Sequence, residues 1–347
     1  MAGRAAMADP LRRLAALDWP ASIAASVTVE RWPLRKPFVI SRGVEREAAL
    51  VVVELRAGDT VGRGECCPVP RYGESVGTVV AEIGSMLTAL ENGDRWTELH
   101  DRLPAGAARN AVDCAVWDLA AKWAIRRAHE ILALPEPAPV ETVLTISLAT
   151  PGEMAEAARA AVGHPSLKLK LGGENDAARV AAVRAAVPDK QLIADVNEAW
   201  SPGMLAANMP AMRDAGLAML EQPLPAGDDD ALGDVDHLVP IGADESCHTT
   251  ADLDRVAPLY DVVNIKLDKT GGLTEALRLL EAAQKLGLQT MVGCMLGTSL
   301  AMAPAHLVAQ RCAFVDLDAP LLIGDDRPDG LHYGQGRIAP PDPALWG

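Results

Sequence analysis

The sequence lacks any long hydrophobic run. Its 347 residues are 49% hydrophobic, which is ample for a large core, yet no stretch approaches the roughly 18 to 20 apolar residues of a membrane span. Arg12 and Arg13 are not followed by the apolar segment of a secretory signal. We therefore expect a globular, cytoplasmic protein that does not associate with membranes.

Positive charge and paired cysteines are also scarce. Lysine and arginine number 32 against 47 aspartates and glutamates, so the formal charge of −15 disfavours nucleic acid as a partner. The six cysteines form no CxxC pair, which indicates reduced thiols without disulfides or zinc. No GxGxxG or P-loop pattern is present, which argues against a doubly wound nucleotide-binding sheet.

The second half of the chain alternates short β-rich runs with alanine-rich helical segments. Eight such runs begin at intervals of 22 to 27 residues, a length that fits one strand, one helix and two loops. Eight parallel units predict an α/β barrel of the TIM type. The runs are TVLTISL (142–148), LKLKL (167–171), QLIADVN (191–197), LAMLEQP (217–223), PIGADES (240–246), VVNIKLDK (262–269), QTMVGCM (289–295) and FVDLDAP (314–320).

A different pattern precedes the barrel. Residues 22–66 resemble an antiparallel meander, and residues 76–127 contain two helical stretches, so we predict an α+β domain over residues 22–138. The barrel is expected over 139–322, and residues 323–347 are expected to run back onto the front domain. Residues 1–21 form an N-terminal extension that is either a short amphipathic helix or disordered.

Charged residues stand near the ends of the predicted strands, where catalytic groups gather in parallel barrels. One interpretation is a set of ion pairs that stabilises the rim, since unpaired charges are costly in buried strands. The other is an active site. The residues are Lys168, Lys170, Asp195, Asn197, Glu221, Asp244, Glu245, Lys266, Asp268, Asp316 and Asp318.

Three neighbouring strands each offer one carboxylate, from Asp195, Glu221 and Asp244. Three negative charges around one point need a cation, and all-oxygen ligands without nearby His or Cys favour one Mg²⁺ per subunit. Lys170 and Lys266 lie on strands two and six, which face each other across the barrel. Amines on opposite sides of a metal-bound substrate suit proton removal from one face and delivery to the other.

These motifs together resemble the enolase superfamily, and within it the subgroup like muconate-lactonizing enzyme. The resemblance covers about residues 25 to 325 and implies an α+β capping domain on a (β/α)7β barrel. It also implies that Mg²⁺ stabilises the enolate formed when a proton α to a carboxylate is removed. Asp195, Glu221 and Asp244 would be the metal ligands, with Lys170 and Lys266 as the acid and base. The matching motifs are KLK (168–170), DVN (195–197), LEQP (220–223), ADES (243–246) and NIK (264–266).

The eighth run suggests the substrate. Asp316 and Asp318 share one face of the strand and suit an ammonium group. They resemble the DxD motif of dipeptide epimerases, which implies epimerization of L-Ala-L-Glu-type dipeptides at the C-terminal residue. Such enzymes act on a small molecule, and the resemblance suggests a homo-oligomer.

Further residues are expected around the substrate. Lys168 is assigned to the substrate carboxylate, and Arg42 is favoured over Arg71 as the cation for a glutamate side chain. Thr145, Cys294 and Met295 either line the dipeptide's path or simply pack in the barrel. Asn197 and Glu245 are expected to orient the ligands and lysines.

Other functions are weighed against the epimerase. An N-acylamino acid racemase or o-succinylbenzoate synthase acts on substrates without a free ammonium, which the acidic pair Asp316 and Asp318 disfavours. A muconate-type cycloisomerase would bind a dianion, which two carboxylates would repel. A non-catalytic ligand-binding barrel is disfavoured because both lysines and all three acids are present.

Overall fold

The front part of the chain folds around a three-stranded antiparallel sheet. The computed structural model describes residues 8–347, and the sheet has the strand order β1–β2–β3. Its strands are β1 (Ala24–Ile40), β2 (Gly43–Ala57) and β3 (Thr60–Cys66). The helices of this part are α1 (Pro10–Ala15), α2 (Val76–Glu91), α3 (Trp96–Leu99), α4 (Ala107–Trp123) and α5 (Ala128–Leu132), with 3₁₀ turns at Pro70–Tyr72 and His100–Arg102.

The structure decides in part between the two predictions for the N-terminal extension, a short helix or disorder. Residues 1–7 lie outside the described residues, but residues 10–15 form α1, whose first turn is capped by the Asp9 side chain. Asp9 also forms an ion pair of 2.8 Å with Arg278, far along the chain. This part of the extension is therefore helical and anchored.

The first strand covers most of two β-rich runs of the predicted meander, SIAASVTVERWPL (22–34) and FVIS (38–41). The runs join into β1, whose register with β2 shifts between Pro33 and Phe38. Pro33 and Pro37 carry no backbone N–H, so this stretch cannot complete the ladder and the strand continues through a bulge. Helices α2 and α4 cover the sheet, and almost every residue of α4 is buried.

Eight parallel strands form the second sheet. Its order follows the chain from β5 to β12 without interruption. A backbone hydrogen bond of 3.0 Å from Val143 N to Val315 O links the first and last strands. The prediction of a barrel with an N-terminal α+β cap is confirmed. The strands, after a short β4 (Val140–Glu141), are β5 (Leu144–Ile146), β6 (Ser166–Lys170), β7 (Gln191–Asp195), β8 (Met219–Glu221), β9 (Ile241–Ala243), β10 (Val262–Lys266), β11 (Gln289–Gly293) and β12 (Phe314–Val315).

Helices cover the outside of this sheet. Segments 153–162, 177–187 and 274–287, which are rich in strong helix formers, form α6, α7 and α11. Gly287 follows α11 with a φ of +83°. The helices are α6 (Pro151–Ala160), α7 (Asp176–Ala186), α8 (Pro202–Asp214), α9 (Leu253–Val256), α10 (Leu267–Thr270), α11 (Leu273–Lys285), α12 (Ser299–Ala309) and α13 (Ala319–Leu322), with a 3₁₀ turn at Thr250–Asp252.

The fourth crossover departs from the predicted pattern of one helix per unit. Between β8 and β9 the structure has only a 3₁₀ turn, Asp230–Asp234. The sequence GDDDALGDVDHL is rich in aspartate and glycine and has no apolar stripe to bury. The crossover is instead held by buried Asp229, whose carboxylate accepts hydrogen bonds from Ser246 Oγ (2.5 Å), Tyr260 Oη (2.6 Å) and Arg255 Nη1 (2.7 Å).

Helix α4 docks the cap on the barrel with buried polar groups. Asp113 Oδ2 accepts from Thr274 N at 2.9 Å, which caps the N-terminus of α11 from another domain. Arg109 Nη2 donates to Thr270 O, at the end of α10, at 2.7 Å. These contacts fix the cap relative to the strand ends.

The last residues return to the cap. Trp346 Nε1 donates to Cys114 O at 2.9 Å, and Gly347 N donates to Asp118 Oδ1 at 2.6 Å. A small sheet of β4, β13 (Tyr333–Gly334) and β14 (Arg337–Ile338) lies on the way. Among residues 8–347, no helix has both the length and the apolar character that crossing a membrane requires.

The close approach of β3 to α4 gives a stability prediction. A Cβ added at Gly64 would overlap the carbonyl oxygen of Ala111, whereas one added at Gly43 meets no atom within 4 Å. We expect Gly64→Ala to lower the free energy of unfolding by about 3 kcal/mol and Gly43→Ala to change it by less than about 1 kcal/mol. Urea denaturation followed by circular dichroism measures both, and equal stabilities would contradict this packing.

Candidate active site

Three carboxylates meet at the carboxyl ends of adjacent strands. Asp195 ends β7, Glu221 ends β8, and Asp244 directly follows β9. All three are buried, and one oxygen from each lies within 4.8 Å of the others. Parallel pairing brings them together, because the strands end at one edge of the sheet.

A lysine flanks the triad on each side. Lys170 ends β6 and its Nζ lies 2.6 Å from Asp195 Oδ2, whereas Lys266 ends β10 and its Nζ lies 2.6 Å from Asp244 Oδ2. The strand order places β6 on one side of the three acid-bearing strands and β10 on the other. The two amines therefore reach the acid triad from opposite sides.

Lys168 shares the buried face with Lys170. Its Nζ lies 2.7 Å from Glu221 Oε2, 2.7 Å from Asp316 Oδ2 and 3.2 Å from Asp195 Oδ2. Burial alone would lower the pKa of Lys168, but these carboxylates raise it well above its usual value. The two neighbouring lysines are tolerated inside the barrel because each ammonium has carboxylate partners.

The charges of the triad are uneven. Burial opposes ionisation of Asp195 and Asp244, yet the adjacent lysines hold the pKa of each below its usual range. Burial and the charge of Asp195 raise the pKa of Glu221, between them, to about 7. The surroundings therefore oppose ionisation of Glu221, the middle acid of the triad, and favour ionisation of the other two.

This donor set fits a hard divalent cation. Glu221 Oε2 and Asp244 Oδ1 are buried, and each faces an ammonium group, of Lys168 or Lys269, at 2.7 Å. Buried carboxylate oxygens grouped without His or Cys are ligands that suit Mg²⁺. The residues that could hold such an ion are Asp195, Glu221 and Asp244.

The acidic pair lies at the end of the eighth strand. Asp316 contacts Lys168, and Asp318 Oδ2 accepts a hydrogen bond of 2.6 Å from the backbone nitrogen of Thr145. Burial and the neighbouring charge of Asp316 raise the pKa of Asp318 to about 7. Thr145 thus lies beside the acidic pair and contacts it through its backbone.

Arg42 reaches the barrel from the turn between β1 and β2. Its guanidinium lies 2.8 Å from Glu245 Oε1 and 3.1 Å from Glu198 Oε2, and it donates to Asn197 O at 3.0 Å. Arg71 binds both oxygens of Glu198 at 2.8 Å. Both cap arginines are therefore paired with barrel carboxylates.

The remaining predicted residues fall into two places. Asn197 Oδ1 accepts from Lys170 Nζ at 3.3 Å, and half-buried Cys294 and Met295 follow β11. Burial, together with Asp316 and Asp318, raises the pKa of the Cys294 thiol well above its usual value. Asp268, also singled out in the sequence, contacts the cap, where it accepts from Asn110 Nδ2 at 2.8 Å.

Two family models match the chain. The mandelate racemase / muconate lactonizing enzyme N-terminal domain matches residues 22–132, and the enolase C-terminal domain-like family matches residues 152–344. An L-Ala-D/L-Glu epimerase of Escherichia coli K12 is 47% identical over 311 residues, which are 89% of this chain and 97% of that protein. The chain belongs to the enolase superfamily.

Other relatives are also similar along most of their length. An N-acetyl-D-glutamate racemase from Pseudoalteromonas is 43% identical over 300 residues, 86% of this chain and 95% of that protein. An enolase family member from Agrobacterium tumefaciens with homology to dipeptide epimerases, solved with sodium and L-Ala-L-Glu, has a TM-score of 0.91 at 47% identity, covering 94% of this chain and 100% of that one.

A more distant superfamily structure contains the expected metal. The dipeptide epimerase of Enterococcus faecalis, complexed with Mg and L-Leu-L-Tyr, has a TM-score of 0.83 at 29% identity, covering 92% of this chain and 98% of that one. The named relatives are epimerases and racemases, which are isomerases. This chain is accordingly an isomerase of the enolase superfamily.

Three polar residues around the triad were not singled out in the sequence. Asn264 Nδ2 donates to Glu221 Oε1 at 2.6 Å, and Gln222 Oε1 accepts from Asp244 N at 2.8 Å. Lys269 Nζ lies 2.7 Å from Asp244 Oδ1. Asn264 lies in the NIK motif and Gln222 in the LEQP motif, so the motifs could have identified these two residues as part of the site. Lys269 had none beyond its place in an apolar run.

The buried triad gives a prediction about metal-dependent stability. We expect Mg²⁺ at 100 times its dissociation constant to raise the free energy of unfolding by about 2.7 kcal/mol. Glu221→Gln removes a ligand charge and should abolish most of this gain, whereas Glu156→Gln, on the exposed face of α6, should keep it. Chemical denaturation with Mg²⁺ and with a chelator measures the difference. Equal gains in both variants would mean that the ion binds elsewhere.

Proposed function

We propose that this chain epimerizes L-Ala-L-Glu-type dipeptides at their C-terminal residue in a Mg²⁺-dependent reaction. The two lysines of the site would move the α-proton in a 1,1-proton transfer. The observation that carries the proposal is the placement of Lys170 and Lys266 on opposite sides of one buried acid triad. Similarity to the epimerase of Escherichia coli and to the structure with L-Ala-L-Glu supports the substrate class.

The lysines carry the proton chemistry. The neutral amine of one lysine accepts the α-proton as the Cα–H bond breaks and its electron pair stays on the substrate. The ammonium group of the other lysine then gives a proton to the opposite face of the same carbon. Because Lys170 and Lys266 can exchange these parts, the reaction runs in both stereochemical directions.

The acids and Lys168 hold the carboxylate end of the substrate. Asp195, Glu221 and Asp244 would hold Mg²⁺, which when bound supplies positive charge beside the substrate carboxylate and stabilises the negative charge left by proton removal. Lys168 is fixed by carboxylates on several sides and adds a second positive charge there.

The acidic pair would recognise the other end of the dipeptide. Asp316 and Asp318 follow the last barrel strand and lie beside the first, β5. They offer two carboxylates to an α-ammonium group. Arg42 is the candidate for the glutamate side chain. It would have to exchange part of its contact with Glu198 or Glu245 for the substrate.

A second candidate function is racemization of an N-acylated amino acid. It is favoured by the 43% identity to an N-acetyl-D-glutamate racemase. A protonated Asp318 could donate a hydrogen bond to an acyl carbonyl oxygen, and its raised pKa makes that form accessible near neutral pH. The two candidates use the same lysines and differ only in what the acidic pair binds.

The two-lysine proposal predicts stereospecific exchange in D₂O. The wild type should introduce deuterium at the C-terminal α-carbon of L-Ala-L-Glu and invert the configuration of that carbon. Lys170→Ala and Lys266→Ala should each lose epimerization by about 10²- to 10⁴-fold. Each variant should still exchange the α-hydrogen of one stereoisomer without inverting it, and the two variants should retain opposite stereoisomers. Mass spectrometry and NMR measure both.

Lys285→Ala is the matched control, since Lys285 is an exposed lysine of α11. It should retain wild-type exchange. No exchange with L-Ala-L-Glu in the wild type, combined with exchange of N-acetylglutamate, would reject the epimerase in favour of the racemase. Both variants exchanging the same stereoisomer would contradict lysines on opposite sides.

The acidic pair predicts a pH dependence. Asp318 must be ionised to bind an ammonium group, and its pKa is raised to about 7. At saturating Mg²⁺ we therefore expect KM for L-Ala-L-Glu to rise about tenfold from pH 8 to pH 6. Asp318→Asn should give a high KM with no such rise. Steady-state kinetics decides, and a flat wild-type profile would mean that Asp318 does not bind the ammonium group.

Two expectations from the sequence stay predictions. They are the cytoplasmic location and the homo-oligomeric state. The oligomeric state is measured directly by size-exclusion chromatography with light scattering.

A further inference from the structure

Lys269 is a fully buried lysine that the proposed proton transfer does not use. It lies on α10, the single turn that follows Lys266, and its side chain is 0% exposed. A buried ammonium group is costly unless oxygens surround it. The oxygens that contact its ammonium group therefore indicate which parts of the chain Lys269 holds in place.

Four oxygens surround the Lys269 ammonium group. One is Oδ1 of the Asp244 carboxylate, at 2.7 Å. The other three are backbone carbonyls, namely Asp244 O at 2.5 Å, Cys247 O at 2.9 Å and Asn264 O at 2.9 Å. Lys269 thus holds both the backbone and the side chain of one acid of the triad.

These contacts join two neighbouring strands. Asp244 and Cys247 belong to the loop after β9, whereas Asn264 lies in β10, two residues before Lys266. Asn264 in turn donates to Glu221 at 2.6 Å. One ammonium group therefore fixes the loop that carries Asp244 against the strand that carries Lys266 and a partner of Glu221.

The cap holds the helix on which Lys269 stands. Arg109 of α4 donates to Thr270 O at 2.7 Å and to Gly271 O at 3.2 Å, at the end of α10. A side chain at Gly271 would collide with Arg109, so the chain passes the cap closely. The position of the ammonium group is thus set from two domains.

We propose that Lys269 is a positioning residue for the metal site: it fixes the Asp244 carboxylate in the orientation that binds the divalent cation. The inference rests on the proposed function, because it assumes that Asp195, Glu221 and Asp244 hold that ion. Because protein oxygens enclose the Lys269 ammonium group, its proposed effect on turnover is indirect.

The direction in which metal affinity changes when Lys269 is replaced separates a positioning role from a purely electrostatic role and from a purely packing role. Removal of a positive charge beside the site would strengthen cation binding if Lys269 acted only through its charge. Loss of a packing element alone would lower the melting temperature and leave the affinity of the folded protein unchanged. Loss of positioning weakens the affinity despite the favourable change in charge.

The test is Mn²⁺ binding to the full chain without substrate, followed by the EPR signal of the free ion. Residues that hold metal ligands in place typically contribute 10- to 100-fold to affinity, so Lys269→Met should raise the dissociation constant at least about tenfold. Lys269→Gln, which keeps a hydrogen-bond donor, should lose less. Lys285→Met removes the same charge at an exposed position and should stay within about twofold of the wild type.

Circular dichroism establishes which variants are folded before binding is measured, and Lys269→Gln serves alone if Lys269→Met does not fold. Unchanged or tighter binding by a folded Lys269 variant would overturn the inference. Absence of Mn²⁺ binding by the wild type would instead overturn the proposed metal site, and the role of Lys269 with it. The two failures are therefore distinct.

Discussion

The structure depends on mutual neutralisation of acids and lysines inside the barrel. Removing one member of a buried ion pair leaves a charge that costs about 3 to 5 kcal/mol, so none of these groups is independent of the others. The cluster forms only when strands β6 to β10 and β12 come together around it. Its members are Asp195, Glu221, Asp244, Asp316, Lys168, Lys170, Lys266 and Lys269. The same groups hold the barrel strands together and make up the candidate active site.

The cap contributes in two different ways. Through Arg109 and Asp113 of α4 it fixes the helices that follow β10, and those contacts are buried. Through Arg42 and Arg71 it reaches over the strand ends, where both pair with Glu198 and stay partly exposed. The first set belongs to the fixed frame of the enzyme. The second set lies at the edge of the acid and lysine cluster, which Arg42 reaches through Glu245 and Asn197.

The sequence predicted what repeats and missed what depends on distant partners. Regular spacing revealed the eight strands, and parallel strands must bring their ends together, so Asp195, Glu221 and Asp244 could be assigned to one site. The pairing of Arg42 with Glu198 joins residues 156 positions apart, which no local pattern records. Lys269 was missed because three of its four partners are backbone carbonyls, which every residue has. The crossover between β8 and β9 has no α-helix, and the only sign of this in the sequence is the absence of an apolar stripe.

That crossover is connected to the loop that carries Asp244 of the acid triad. Asp229 accepts a hydrogen bond from Ser246, which follows Asp244 and Glu245 directly, so the crossover is tied to the loop that carries Asp244. A helix packed by apolar contacts can slide slightly when its sequence changes, whereas a carboxylate held by three donors cannot. Evolution should therefore accept insertions and deletions around α6, α7 and α8 more readily than between β8 and β9.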